Sequence, residues 1–397
     1  MSQTEGLDYR LSGGGLIGFI ERRIVKSASD GLALPLRILT GLAVLWFPLA
    51  LMTLAAGTFA SDAIGQAFIT DVVPQVRFLV AFPLLLYAGT VIDPAISCTI
   101  RNLDASGVVP GPEKERFRSA LARLEKARDS VWSDILLLLM AFALTWAFRP
   151  GYGGFLFDIS DKTWLQPVSG NTNSLSLAGW WYLLVSAPVF QFVLFRWLWR
   201  YLLWSTFLFR LSRMRLALHA THPDLAGGLG ALGLSQQAFV ILFVALSTIV
   251  SSTIAHDMMF ARTSFESARL EVIAFVLICV IAVYVPLTFF ARNLYLARQR
   301  ALEEFGTLGF RLSETFRSQW ITQAGSSSDA PPAKSIDPSA VADYGAVFET
   351  ARNTRVVPAS IRSIVITGAA LVVPFMPLYM LKFSVTDLIN RLLNALV

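Results

Sequence analysis

This sequence predicts an all-α, polytopic transmembrane helical bundle of about seven spans, and three observations predict it. Of its 397 residues, 55% are hydrophobic and only 15% charged, where soluble domains carry about 25% charged residues. Runs of roughly 20 apolar residues recur, the length needed to cross a hydrocarbon core about 30 Å thick. Lysine and arginine are also spread unevenly between alternate connections. The same composition excludes disordered, collagen-like and disulfide-framework classes. Its two cysteines, Cys98 and Cys279, read as small packing hydrophobes.

The runs fall at about 37–57, 77–97, 131–149, 178–200, 234–255, 271–291 and 361–381. Backbone groups cannot stay unpaired in lipid, so each run should be helical, and the alternation of barrel strands is missing. Connections 1–36, 98–130, 200–232 and 293–360 hold 22 Lys and Arg, whereas the other set holds 5. The positive-inside rule then places the N-terminus in the cytoplasm and, with seven spans, the C-terminus outside; a hairpin at 361–397 would bring it back. This clustering accounts for the net charge of +6 without any nucleic-acid partner. Around the short Leu16–Ile20 patch there is no cleavable signal, so the first span should remain as an anchor. Trp46, Trp132, Trp146, Trp164, Trp180 and Trp181 lie near span ends, as an interfacial belt predicts. Pro48, Pro83, Pro188, Pro286, Pro374 and Pro377 lie inside spans, where each removes a donor and frees a carbonyl for a neighbour to satisfy.

Four regions result: a cytoplasmic N-terminal segment (1–36), a six-span core bundle (37–300), a cytoplasmic helix, linker and short helix (301–360), and the last span with an amphipathic tail (361–397). Residues 112–130 read as an amphipathic helix with Phe117, Leu121, Leu124 and Val131 in one stripe, set against either the membrane surface or the bundle. Span six reads as running on to about Trp320, with Phe305, Leu308, Leu312 and Phe316 on one side. That face needs a partner, either a helix of the same chain or another subunit. Besides the bilayer, the partners expected are a second copy in a homo-oligomer and a cytoplasmic protein. Gly325–Pro338 reads as a flexible linker, 339–353 as a short helix, and 385–397 as an interfacial tail. No internal repeat marks the halves of a secondary transporter.

Candidate chemistry is sparse, and no cofactor is implied. His219, His222 and Asp224 have a spacing that could gather three metal ligands at one helix end; the bland alternative is a helix terminus with Asp224 capping. Gly227, Gly228 and Gly230 precede span five, where backbone N–H groups could cradle an anion, or where small residues simply allow close packing. Neither a P-loop ending nor a dinucleotide fingerprint is present.

Two stretches, Arg77-Phe-Leu-Val-Ala-Phe-Pro83-Leu-Leu-Leu86 and His222-Pro-Asp-Leu-Ala-Gly-Gly-Leu-Gly230, resemble a family of bacterial polytopic integral membrane proteins to which no activity is attached. The resemblance covers about residues 37–300. It implies an inner-membrane location and says nothing of substrate.

Ionisable residues within spans are costly and suggest function by default. Arg196 and Arg200 share a helix face within the apolar stretch from Leu177 to Phe209, and Asp93 and Asp134 are their candidate partners. Span five carries a polar stripe, Ser247, Thr248, Ser251, Ser252 and Thr253, which either packs or lines a water path toward Gln236 and Gln237. No catalytic triad, nucleophile elbow or HExxH motif stands out. The leading expectation is a small-solute or ion transporter or channel using Arg196, Arg200, Asp93, Asp134, Ser247, Ser251, Ser252 and Gln237. One alternative is a membrane-embedded sensor or assembly subunit that binds a cytoplasmic partner. A further one is a membrane enzyme acting at the His219–Asp224 loop.

Overall fold

The computed structural model describes residues 9–14, 33–60, 66–147, 163–167, 174–260, 265–322 and 338–382. The Leu16–Ile20 patch, the 325–337 linker and the 385–397 tail lie outside them. Six helices are long and apolar enough to cross a membrane: α1 (Leu34–Ala55), α2 (Val72–Ala105), α5 (Leu177–Ser212), α6 (Gly230–Phe260), α7 (Ala268–Thr288) and α10 (Ile361–Tyr379). Between α2 and α5 lie α3 (Gly111–Arg128) and α4 (Val131–Ala147), bent by 46° at their junction, and they make a seventh span if taken together. Two further helices, α8 (Ala291–Phe316) and α9 (Pro338–Asn353), sit between α7 and α10. Among the described residues there is no named strand, only an isolated bridge between Gln66 and Thr163. The chain is therefore an all-α bundle with six or seven apolar helices of spanning length.

The core is built on α2 and α5, which bury Phe78, Leu85, Ile92 and Ile96 on one side and Phe190, Trp204, Phe207 and Leu211 on the other. Rows of apolar residues on the outer faces stay exposed, such as Leu270, Ile273, Leu277 and Ile281 on α7. In a bilayer such faces meet acyl chains instead of water. The amphipathic stripe of α3 buries Phe117, Leu121 and Leu124, with the Phe117 ring against Phe207. It therefore packs on the bundle. Trp164, expected in an interfacial belt, is instead buried. Its ring packs against Phe68 and Tyr182, and its Nε1 donates to Asp71 at 3.0 Å.

Prolines shape the spans as their missing N–H groups require. Wide π-turns, Arg77–Ala81 and Tyr182–Ser186, come just before Pro83 in α2 and Pro188 in α5. Pro48 cannot donate to the Val44 carbonyl, and Trp181 Nε1 does so at 3.1 Å. Likewise the Ala282 carbonyl, freed by Pro286, accepts from the Tyr201 hydroxyl. Span six does not run on unbroken. A turn at Phe289–Phe290, just past Pro286, separates α7 from α8. The face of α8 then finds its partner in the same chain: Tyr344 of α9 packs on Phe305, and its hydroxyl donates to the Phe305 carbonyl.

The connections at one end of the bundle are tied together by backbone hydrogen bonds. Ala217 N–H donates to Val108 O at 2.9 Å, and Arg355 N–H to Leu225 O at 2.8 Å. Asn293 Nδ2 caps the end of α5 by donating to Ser212 O at 2.8 Å. At this junction Gly233 of α6 lies so close to the 354–360 segment that an added Cβ would stand 2.5 Å from Pro358 O. Gly233→Ala should therefore destabilise the protein by about 1–3 kcal/mol. Gly306→Ala, where a Cβ meets nothing within 4 Å, should instead gain up to about 1 kcal/mol from helix propensity. Thermal unfolding in detergent gives the two signs.

Candidate functional site

Arg196 and Arg200 lie one turn apart on α5 and are buried, as are Asp93 on α2 and Asp134 on α4. Arg196 pairs with Asp134, Nε to Oδ1 at 3.7 Å. Arg200 stands within electrostatic reach of Asp93, and its guanidinium lies 5.1 Å from the centre of the Trp197 ring. The four groups that the sequence nominated thus converge between α2, α4 and α5, and their formal charges cancel.

What fills the cluster is the chain's own segment Tyr9–Gly14. Arg196 Nη2 donates to the Gly14 carbonyl, and Arg200 Nη2 to the Ser12 carbonyl and, at 3.3 Å, to that of Gly13. Asp93 accepts from the Ser12 N–H at 2.8 Å and from the Ser12 hydroxyl. Ser97 Oγ donates to the Tyr9 carbonyl, and Arg128 Nη1 donates to the Arg10 carbonyl at 2.6 Å. Ser12 is therefore read at its amide, hydroxyl and carbonyl together. Small residues make the fit possible. A Cβ on Gly89 would meet Ser12 Cβ at 3.2 Å, and one on Gly14, at φ +79°, would collide with the Asp129 carboxylate. Tyr9 and Leu11 are buried. Burial pushes the Tyr9 phenol well above its ordinary value, so it stays neutral. Among the described residues its hydroxyl has no hydrogen-bond partner.

This inserted segment was invisible to pattern reading. It has no periodicity, and only the small-residue run Ser12-Gly13-Gly14-Gly15 hints at close approach to other elements.

The polar stripe of α6 is buried but largely satisfied by its own helix. Ser247 Oγ donates to Phe243 O at 3.0 Å, Thr248 to Ala245 O at 2.7 Å, and Ser252 to Ile249 O at 2.7 Å. Ser251 crosses to Pro374 O of α10 at 2.7 Å. These hydroxyls make a packing seam. Gln236 is fully buried, with the Tyr201 hydroxyl beside its amide. Gln237 faces a cleft beside the glycine-rich loop.

In that loop the backbone nest already holds an anion, the Asp224 carboxylate. The N–H groups of Ala226, Gly228 and Gly230 donate to it at 2.8, 3.2 and 2.8 Å. His222 Nδ1 lies 2.9 Å away, while His219 points to the exposed side. Among the described residues no group of three His, Cys, Asp or Glu side chains is placed to hold a metal ion. Gly227 and Gly228 adopt φ +65° and +94°, and a Cβ on them would press on Leu294 and Val108. The glycines serve the turn and its packing. Burial alone would raise the Asp224 carboxyl, but the three N–H donors and His222 outweigh it and hold the group below its ordinary range.

No protein-family model, no curated protein and no solved structure matches this chain.

Because its folded-state pKa is lowered, Asp224 stabilises the fold above the ordinary carboxylate range and loses this effect as pH falls through the lowered value. Asp224→Ala, which strands three amides, should cost about 1–3 kcal/mol near pH 6. The gap in melting temperature between wild type and variant should close below about pH 4.

Proposed function

We propose that this protein is a multi-pass inner-membrane transporter or channel for a small solute or ion, with its N-terminus in the cytoplasm. Its cytoplasmic mouth lies between α2, α4 and α5. The observation that supports this reading is the charge-balanced cluster of Asp93, Asp134, Arg196 and Arg200 holding a non-helical segment inserted from outside the bundle. Arg196 pairs with Asp134, while Arg200 and Asp93 both hydrogen-bond the inserted peptide. Displacing that peptide exposes two guanidiniums and a carboxylate in a cleft that can pair with a polar solute. The Tyr9 hydroxyl, buried without a partner among the described residues, weakens the seated state by about 1–3 kcal/mol. The 22-to-5 split of basic residues between alternate connections supports the orientation.

Ser12→Pro removes both donors to Asp93. Proteoliposomes carrying this variant should show several-fold faster flux of small ions or polar solutes than wild type, and Arg200→Gln in the same background should slow it again. Equal flux in wild type and Ser12→Pro, or none in either across a panel of amino acids, organic acids and inorganic ions, overturns the reading.

One observation favours a second reading, an assembly subunit. On α8, the Phe310 side chain is 72% exposed.

A further inference from the structure

Independently of the transport reading, we propose that a cleft among α6, α7 and α10 binds a phosphate group, and that its source is the headgroup of an anionic phospholipid. The cleft is open-sided, has a volume of about 490 Å³ and is lined by Gln237, Tyr284, Arg355, Ser360, Arg362 and Ser363, among others. Gly230 opens α6, Ile361 opens α10, and Tyr284 lies in the last turns of α7, so three spans meet here at their ends. That is the level at which a bilayer presents its headgroups.

Two guanidiniums face this cleft. Among the described residues, the side chains of Arg355 and Arg362 have neither an ion pair nor a hydrogen bond, and both residues are exposed. Such a pair matches the oxygens of a phosphate with planar, multiply donating groups. The Ser360 and Ser363 hydroxyls are hydrogen-bonded to each other at 2.9 Å, which leaves one O–H, with the Gln237 amide, as a further donor. One carboxylate, Asp224, stands on the rim. It is already engaged by three backbone N–H groups and His222, so it leaves the arginines available.

Two features favour a lipid over free phosphate. The volume falls in the range of small-molecule pockets, about 300–1,000 Å³, and far exceeds a bare ion. The cleft also has apolar lips, Leu234 at 67% and Ile366 at 53% exposure. Acyl chains would cover these, and an inorganic anion would leave them bare.

The test titrates purified full-length protein in detergent with short-chain phosphatidylglycerol, short-chain phosphatidylcholine and inorganic phosphate, reading binding by thermophoresis and native mass spectrometry. Phosphatidylglycerol should bind at least tenfold tighter than phosphatidylcholine, and the double variant Arg355→Gln/Arg362→Gln should weaken it tenfold or more. Because neither side chain has a partner to lose, the melting temperature should not move. Ser363→Trp keeps both charges while filling the cleft, and it should weaken phosphatidylglycerol binding as well. Inorganic phosphate binding as tightly, with the same dependence on the arginines, would keep the phosphate site and overturn the lipid as its source. Unchanged phosphatidylglycerol affinity in both variants, or equal affinity for phosphatidylcholine, overturns the proposal.

Discussion

An ionised side chain buried inside an apolar helical bundle has to find its compensating charges and hydrogen bonds within the protein. Arg196 and Arg200 impose that requirement on everything around them. Asp134 answers one arginine from α4, Asp93 faces the other from α2, and the carbonyls of Ser12, Gly13 and Gly14 complete the coordination. The placement of three helices, the lack of side chains at Gly89 and Gly14, and the path of the N-terminal segment all follow from it. Remove the two guanidiniums and the carbonyls of Ser12, Gly13 and Gly14 lose these donors.

The same accounting separates structural polarity from candidate function elsewhere. The hydroxyls of Ser247, Thr248 and Ser252 on α6 close short loops with carbonyls three or four residues back, so their polarity is internal to the helix, and Ser251 spends its own on Pro374 O of α10. Asp224 closes its circuit within six residues, through the N–H groups of Ala226, Gly228 and Gly230. The proline-freed carbonyls of Val44 and Ala282 are met by Trp181 and Tyr201 from α5. At the Arg196–Arg200 cluster charged groups bind a separate segment of the chain, and among the described residues the Arg355 and Arg362 side chains have no partner.

Much of the fold was legible in the sequence because lipid enforces simple rules. Apolar runs of fixed length gave the helices long enough to cross a membrane, and Phe117, Leu121 and Leu124 of the stripe gave the face of α3 that the bundle buries, whereas its fourth member, Val131, is exposed at the start of α4. The convergence of Asp93, Asp134, Arg196 and Arg200 was also legible, since unpaired charges in apolar helices have few possible partners. The rest depended on tertiary contacts that leave no periodic trace. Residues 9–14 have no pattern that announces a binding peptide. Trp164 looked interfacial because sequence position says nothing about Asp71 and Phe68 folding over it. The cleft at Arg355 and Arg362 joins segments more than a hundred residues apart, which spacing alone cannot reveal.

The π-turns ahead of Pro83 and Pro188 have one more consequence. Arg77 and Tyr182, the first residues of the two wide turns, are hydrogen-bonded to each other at 2.8 Å, so the turns lie side by side. Each wide turn inserts one extra residue into the winding, and in an α-helix one residue is worth about 100° of rotation. Asp93 and Arg196 stand beyond these insertions, so the azimuth of both is set by them. The twin irregularities work as a pair of indexing notches: were either helix wound regularly, its charge would swing away from the interior toward lipid.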